Sequence, residues 1–260
     1  MNRRAFLLLV VLTAALLLKN RRKDDPYFIV GHRGAAGLAP ENTMASLKLA
    51  HQLGAGWLEV DIQRTRDRVL VVMHDATADR TTNGSGSIGE MDWEQVAQLD
   101  ASKGMEKYAG EPVPRLSDVL TFIVENDLML CIEVKDPQIY PGIAEELAAE
   151  LREYNAQSRV VIISFDLAWL RGFSEIAPDI AVGALWKRIE SVDAVPSAKY
   201  IDVHWSSALL DLPLIWQAKQ SGRTILVWTC NSPLIAYVLK WVGVNGVTTD
   251  RPDLLVPTAQ

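Results

Sequence analysis

Cysteine is scarce in this chain. It has two, Cys131 and Cys230, each inside apolar, strand-like sequence. Thiols placed like that make no disulfide framework and read as buried and free. No stretch after residue 24 is low in complexity or strongly charged, which excludes long disorder. Basic charge is also short in the body of the chain. Beyond residue 23 there are 20 basic against 32 acidic residues, which excludes a surface that wraps nucleic acid. Long hydrophobic runs are missing too, except for the 14 residues from Ala5 to Leu18, broken only by Thr13. That run falls short of the roughly 17–25 residues that cross hydrocarbon comfortably.

Six basic residues (Arg3, Arg4, Lys19, Arg21, Arg22, Lys23) and no acidic ones flank this run. No small-x-small cleavage site precedes Lys19, which argues against a secretory signal peptide. Every face of the segment is apolar, which argues against a soluble helix. The expectation is an uncleaved hydrophobic anchor helix over residues 1–24, with Arg and Lys snorkelling at its ends and suited to anionic lipid headgroups. Four basic residues after the run and two before it lean the rest of the chain toward the cytoplasmic face of a membrane. Residues 25–260 then form one folded domain.

What the chain does have is a core's worth of apolar residues, 49% of the total, arranged in short β-rich runs that alternate with helical patterns. The runs are 28–31, 57–61, 69–73, 129–134, 160–164, 181–185, 200–204, 224–229 and 246–249. Helical patterns lie near 43–53, 116–126, 141–153, 167–176, 211–221 and 233–242, with Asn42 and Ser117 at expected N-caps. The alternation predicts an α/β fold with a parallel sheet and crossover helices. Nine runs exceed an eight-stranded barrel by one, so 246–249 is expected as a short closing strand. The seven-residue link from Asp61 to Val69 is expected as a bare, extended crossover. Residues 75–115 break the rhythm and form an insertion after the third strand, as a cap over a site or as decoration.

In a barrel, functional groups collect at the C-terminal strand ends. Four consecutive runs here end in ionisable groups: His32-Arg33, Glu59-Val60-Asp61, His74-Asp75 and Glu133-Val134-Lys135. Glu59 and Asp61 are two apart on one strand and share a face. Held together, the pair needs a proton or a cation. Glu133 adds a third hard oxygen donor, a set that suits Mg²⁺ or Ca²⁺. The bland alternative is a set of salt bridges with Arg33 and Lys135. His32 and His74 titrate near neutrality and can move protons. Arg33 and Lys135 can bind phosphoryl oxygens. Glu41 and Asn42 orient ligands or cap a helix. Phe165, Trp205 and Trp228 are candidates for an apolar wall. His204 and His51 read as structural.

Taken together, HRGAAGLAPENT, WLEVD, MHD, IEVK, ISF, VWTCN and GVTTDRP resemble the glycerophosphodiester phosphodiesterase family, over about residues 29–254. The resemblance implies a TIM-type (β/α)8 barrel with a small insertion, one divalent cation and a two-histidine mechanism. By matched positions it implies His32 as proton acceptor and His74 as proton donor. Glu59, Asp61 and Glu133 would be metal ligands, Arg33 and Lys135 phosphate contacts, and Trp228 part of the substrate site. Departures at Gly56, Arg68 and Cys230 touch none of these. The implied reaction converts a glycerophosphodiester to glycerol 3-phosphate and an alcohol, on a small-molecule or lipid substrate. Two rival readings are a lysophospholipase D on the same barrel and a non-catalytic, membrane-bound phosphate-ligand-binding protein.

Overall fold

The protein is described by a computed structural model that covers residues 27–187 and 193–256. Eight parallel strands close into a barrel: β1 (Phe28–Gly31), β2 (Trp57–Arg64), β4 (Met129–Val134), β5 (Val160–Ser164), β6 (Ala181–Trp186), β7 (Tyr200–His204), β8 (Thr224–Trp228) and β9 (Gly246–Thr249). The ninth, β3 (Leu70–Val72), lies outside the ring, antiparallel to the end of β2. Helices α1 (Met44–Gln52), α3 (Leu116–Glu125), α4 (Ile143–Glu153), α5 (Leu167–Ile176), α6 (Trp205–Leu210), α7 (Leu212–Gln220) and α8 (Pro233–Trp241) follow the strands, with α2 (Trp93–Val96) in the insertion and α9 (Pro252–Leu255) at the end. This is the expected TIM-type barrel, with two corrections to its strand list.

The run 69–73 is not a barrel strand. β2 continues through Ile62, Gln63 and Arg64, which uses up three residues of the supposed crossover. What remains is a tight turn in which Arg68 has φ of 69°. A turn that short can only reverse the chain, so Ile62 pairs with Val72 and Arg64 with Leu70. The run 246–249 is conversely a full barrel member, paired along its length with β1 from Phe28↔Gly246 to Gly31↔Thr249. At its first position only glycine fits. A Cβ on Gly246 would lie 2.5 Å from the Phe28 ring, which stacks on Trp57 at 4.4 Å and plugs the barrel floor.

Two apolar layers hold the barrel. Between strands and helices lies the main core, including Leu47, Leu58, Leu120, Leu147 and Phe173, all fully buried. Inside the barrel Cys131, Val161, Ile163, Leu185 and Leu226 form a second cluster with Phe28, Trp57, Tyr200 and Trp228 at its edges. Both cysteines are free and buried, as expected. The insertion has a small core of its own, Val71, Met73, Ala78, Ile88, Val96, Ala101 and Val113. The expected N-caps shift by a residue or two. Thr43, not Asn42, accepts the Ser46 N–H at the start of α1, and α3 begins at Leu116 with Arg115 as its cap. The expected anchor, residues 1–24, lies outside the described residues.

Candidate active site

The parallel register of β2 and β4 sets Asp61 beside Glu133 and Glu59 beside Cys131. Because Glu59 and Asp61 share a face, three carboxylates converge where the sequence places them, with one oxygen from each lying within 4.8 Å of the others. All three are buried. Burial and the charge of Asp61 raise the Glu59 pKa, and the same causes push Glu133 up to about 7. Burial acts on Asp61 too, but Lys135, Arg33 and His74 outweigh it and hold that carboxyl down at about 2. Lys135 Nζ lies 3.0 Å from Asp61 Oδ1 and 2.7 Å from Glu133 Oε1, and Arg33 Nε lies 3.1 Å from Asp61 Oδ2. Neither Asp61 Oδ1 nor Glu133 Oε1 receives a hydrogen bond of good geometry. Three crowded carboxylates, two of them with raised pKa values, form a donor set that could hold one hard cation.

Asn42 completes the enclosure. Its Nδ2 donates to Asp61 Oδ2 at 2.8 Å and its Oδ1 accepts from the Asp61 backbone N–H at 3.2 Å. Of the two roles open to Asn42 in the sequence, orienting a neighbouring group rather than capping the helix is the one its contacts with Asp61 fit. To reach it, the first loop adopts left-handed backbone at Arg33, Gly34 and Asn42. The Arg33 N–H then donates to Glu59 Oε2 at 2.9 Å. A Cβ on Gly34 (φ 84°) would lie 2.5 Å from the carbonyl carbon of Ser46. Gly34→Ala is therefore expected to destabilise the fold by about 1–3 kcal/mol through forced strain, read as a lowered denaturation midpoint, and to loosen Arg33 with it.

Each histidine is braced at Nδ1 by a carboxylate. His32 pairs with Asp250 Oδ1 at 2.6 Å, and His74 pairs with the neighbouring Asp75. His32 Nε2 lies 3.9 Å from Glu59 Oε2. Burial opposes charge on the His32 ring, but the Asp250 hydrogen bond and Glu59 prevail and its pKa is raised. For His74 burial wins over the pull of Asp61 and Asp75, and its pKa is lowered. Arg80 of the insertion ties the two sides of the mouth together. It donates to Asp75 Oδ2 at 2.5 Å and to both oxygens of Glu41 at 2.8 Å, while Glu41 accepts from Arg33 at 2.6 Å. Lys103 adds a contact to Glu41 at 3.6 Å. The insertion is thus fastened to the first loop by charge.

His32, Arg33, Glu59, His74, Glu133 and Lys135 line a cavity of about 240 Å³ together with Phe165, Trp228, Lys187, Ile163, Leu185 and Asp202. Phe165 and Trp228 meet edge-on at 5.7 Å. Trp205 is not brought to the cavity and packs against the main core. His204 bonds Ser206 and sits against Trp228, and His51 meets Phe122 edge-on, both as structural side chains. The sequence reading missed Asp250, Arg80 and Asp202. Asp250 follows β9, and its strand-end position was the available signal. Asp202 shares a face with Tyr200 and His204 on β7 and alternates with Ile201 and Val203, an acid on the inward face of a barrel strand.

The barrel and its mouth define a TIM-type fold with an acidic, histidine-bearing site, and comparison with known proteins places it among the phosphoric diester hydrolases. The chain matches the family model described as "Glycerophosphoryl diester phosphodiesterase family" over residues 32–254. It is 36% identical over 232 residues to a glycerophosphodiester phosphodiesterase of Caldanaerobacter subterraneus subsp. tengcongensis, covering 88% of this chain and 96% of that one. Among solved structures it resembles a glycerophosphodiester phosphodiesterase of Agrobacterium tumefaciens (TM-score 0.79, 31% identity, 88% and 98% coverage). It also resembles a phosphodiesterase of Oleispira antarctica in complex with the product sn-glycerol-3-phosphate (TM-score 0.77, 29% identity, 88% and 94% coverage). The chain belongs to the glycerophosphoryl diester phosphodiesterase family.

The expected membrane-associated location, leaning to the cytoplasmic face, is corrected by these findings. No helix among the described residues is long and apolar enough to cross a membrane. The matches to known phosphodiesterases run over the barrel and nearly the whole length of those relatives. The location had rested on an apolar run whose length already fell below a comfortable span.

Proposed function

We propose that the chain hydrolyses glycerophosphodiesters to glycerol 3-phosphate and an alcohol, as one barrel domain over residues 25–260 with 75–115 inserted. The observation that carries this reading is a cavity lined by Glu59 and Glu133, the carboxylate-braced His32 and His74, Arg33 and Lys135, with Asp61 buried against the two glutamates. Glu59, Asp61 and Glu133 would hold one divalent cation, Mg²⁺ or Ca²⁺, which when bound supplies Lewis-acid polarisation of a phosphoryl oxygen. Arg33 and Lys135 bind the phosphoryl oxygens and balance the charge that develops there. His32, engaged at Nδ1, presents Nε2 to accept the proton of the attacking hydroxyl. Glu59 is one cause of its raised pKa, so neutralising Glu59 frees that nitrogen for the basic role. His74 donates the proton to the leaving alkoxide. An anionic diester beside it raises its hold on that proton. Trp228 and Phe165 face the departing alcohol.

The direct experiment compares release of glycerol 3-phosphate from glycerophosphocholine with release of lysophosphatidate from lysophosphatidylcholine, each with Mg²⁺, Ca²⁺ or a chelator. Cation-dependent turnover of glycerophosphocholine is the expected result. No turnover of it under any condition overturns the proposal, and faster turnover of the lysolipid favours the lysophospholipase D reading.

Arg80 offers a check on the geometry. Arg80→Ala removes the bridge between Asp75 and Glu41, and misplacing His74 and Arg33 together is expected to lower kcat/KM by about 10–10²-fold. Arg80 is partly exposed, so the denaturation midpoint should hardly move. Arg80→Lys, which cannot pair with both carboxylates at once, should fall between. Wild-type kinetics in both variants would show that the bridge does not position the site.

A further inference from the structure

One acid inside the barrel takes no part in the chemistry proposed above. Asp202 lies midway along β7, where Ile201 and Val203 turn to the helix layer and Asp202 turns inward. Its strand partners are Leu185 on β6 and Leu226 on β8, both in the apolar interior cluster. The side chain is 3% exposed, and Oδ1 has no hydrogen-bond partner among the described residues. No Arg, Lys or His pairs with it among those residues, and burial together with Glu59 and Glu133 drives its carboxyl well above the usual range. A buried polar group without a partner is a cost to the fold. A leucine there would extend the apolar layer of its two neighbours. The acid nonetheless lines the same cavity as Glu59, Glu133, His32, Arg33 and Lys135, on a strand across the ring from β2.

We propose that Asp202 is a specificity-determining residue whose carboxyl group hydrogen-bonds a hydroxyl of the substrate's glycerol portion, an inference that rests on the glycerophosphodiester reading. The chemistry selects a hydroxyl over the other groups a phosphodiester carries. A phosphoryl oxygen belongs with Arg33 and Lys135, and as an acceptor it has nothing to donate to Asp202 Oδ1. A quaternary ammonium would be stripped of water against Ile163 and Leu185 and cannot donate to Oδ1. A hydroxyl donates to one carboxyl oxygen, accepts from a protonated one and brings no charge into the apolar layer. A floor built to bond a hydroxyl also rejects ligands that lack one, since Asp202 is then left unmet. The orphaned oxygen is in this sense stability given up for recognition.

The test uses the cation-loaded protein and two probes, sn-glycerol 3-phosphate and inorganic phosphate, with affinities measured by calorimetry for wild type, Asp202→Leu and Asp202→Asn. Asp202→Leu is expected to weaken glycerol 3-phosphate at least about tenfold and to leave inorganic phosphate within about twofold. Asp202→Asn, which keeps a donor and an acceptor, should stay within a few-fold of wild type for both. The denaturation midpoint of Asp202→Leu should equal or exceed that of wild type, because no native partner is lost. Equal weakening of both probes, unchanged affinity for both, or a clearly lowered midpoint each overturns the proposal. If wild type holds glycerol 3-phosphate no more tightly than phosphate and releases none from glycerophosphocholine, the functional reading itself falls. If wild type discriminates and Asp202→Leu discriminates equally well, the Asp202 proposal alone falls.

Discussion

Replacing His32 or His74 with alanine is expected to lower kcat by at least about 10²-fold in each case, the usual scale for a positioned acid or base. Both side chains stand at the mouth, and each is held by a carboxylate at Nδ1. That leaves one ring nitrogen apiece for the reacting groups. The two proposed tasks are sequential, so neither histidine should stand in for the other, and the double variant should lose little more than the weaker single one. Stability should change little, because neither residue belongs to either apolar cluster. Asp250 adds a graded version of the same test. Asp250→Asn preserves shape but withdraws the charge that helps to raise the His32 pKa, so the pH–rate limb belonging to His32 should move to lower pH. Steady-state rates with matched circular-dichroism melts decide the matter. A His32→Ala or His74→Ala enzyme within a few-fold of wild type removes that residue from the mechanism.

Removing the divalent cation is expected to abolish turnover, and restoring it to recover turnover. The same binding should be visible without any substrate. Three crowded carboxylates, two of them with raised pKa values, repel one another until a cation neutralises them. Binding to the folded state alone stabilises it by about 2.7 kcal/mol at a cation concentration a hundredfold above Kd, so the melting midpoint should rise with added Mg²⁺ or Ca²⁺. Glu133→Gln separates ligation from folding. With its pKa near 7, Glu133 is partly neutral without a cation, and the amide mimics that form. The cation-free midpoint should therefore be close to wild type, while divalent affinity falls by at least about 10–10²-fold. A chelated enzyme with full activity and an unshifted melt would defeat the cation assignment.

Much of this was legible in the chain because it is governed by local periodicity. Alternating short β-rich runs and helical patterns mark a parallel α/β sheet whatever the distant contacts are, the family resemblance implies that it closes into a barrel, and strand ends rich in charge mark its mouth. Glu59 and Asp61 could be put on one face by counting two residues. Neighbouring register was harder. The error at 69–73 arose because a β-rich run looks the same whether it joins the ring or folds back, and the extra three residues of β2 decided which. The N-cap at Asn42 failed for a related reason. An Asn preceding a helix suits a cap by propensity, but here its amide is taken by Asp61, nineteen positions away.

The sequence by itself determined the barrel, the carboxylate trio, the two histidines and the family, since these depend on residue type at short spacings. Only the tertiary structure decided which groups brace them. Asp250 reaches His32 from 218 positions away, Arg80 joins Glu41 to Asp75 across two loops, and Asp202 faces the cavity from the opposite side of the ring. No periodicity encodes such meetings. They follow from closure of the sheet, which brings the last strand against the first and turns every second residue of every strand toward one shared interior.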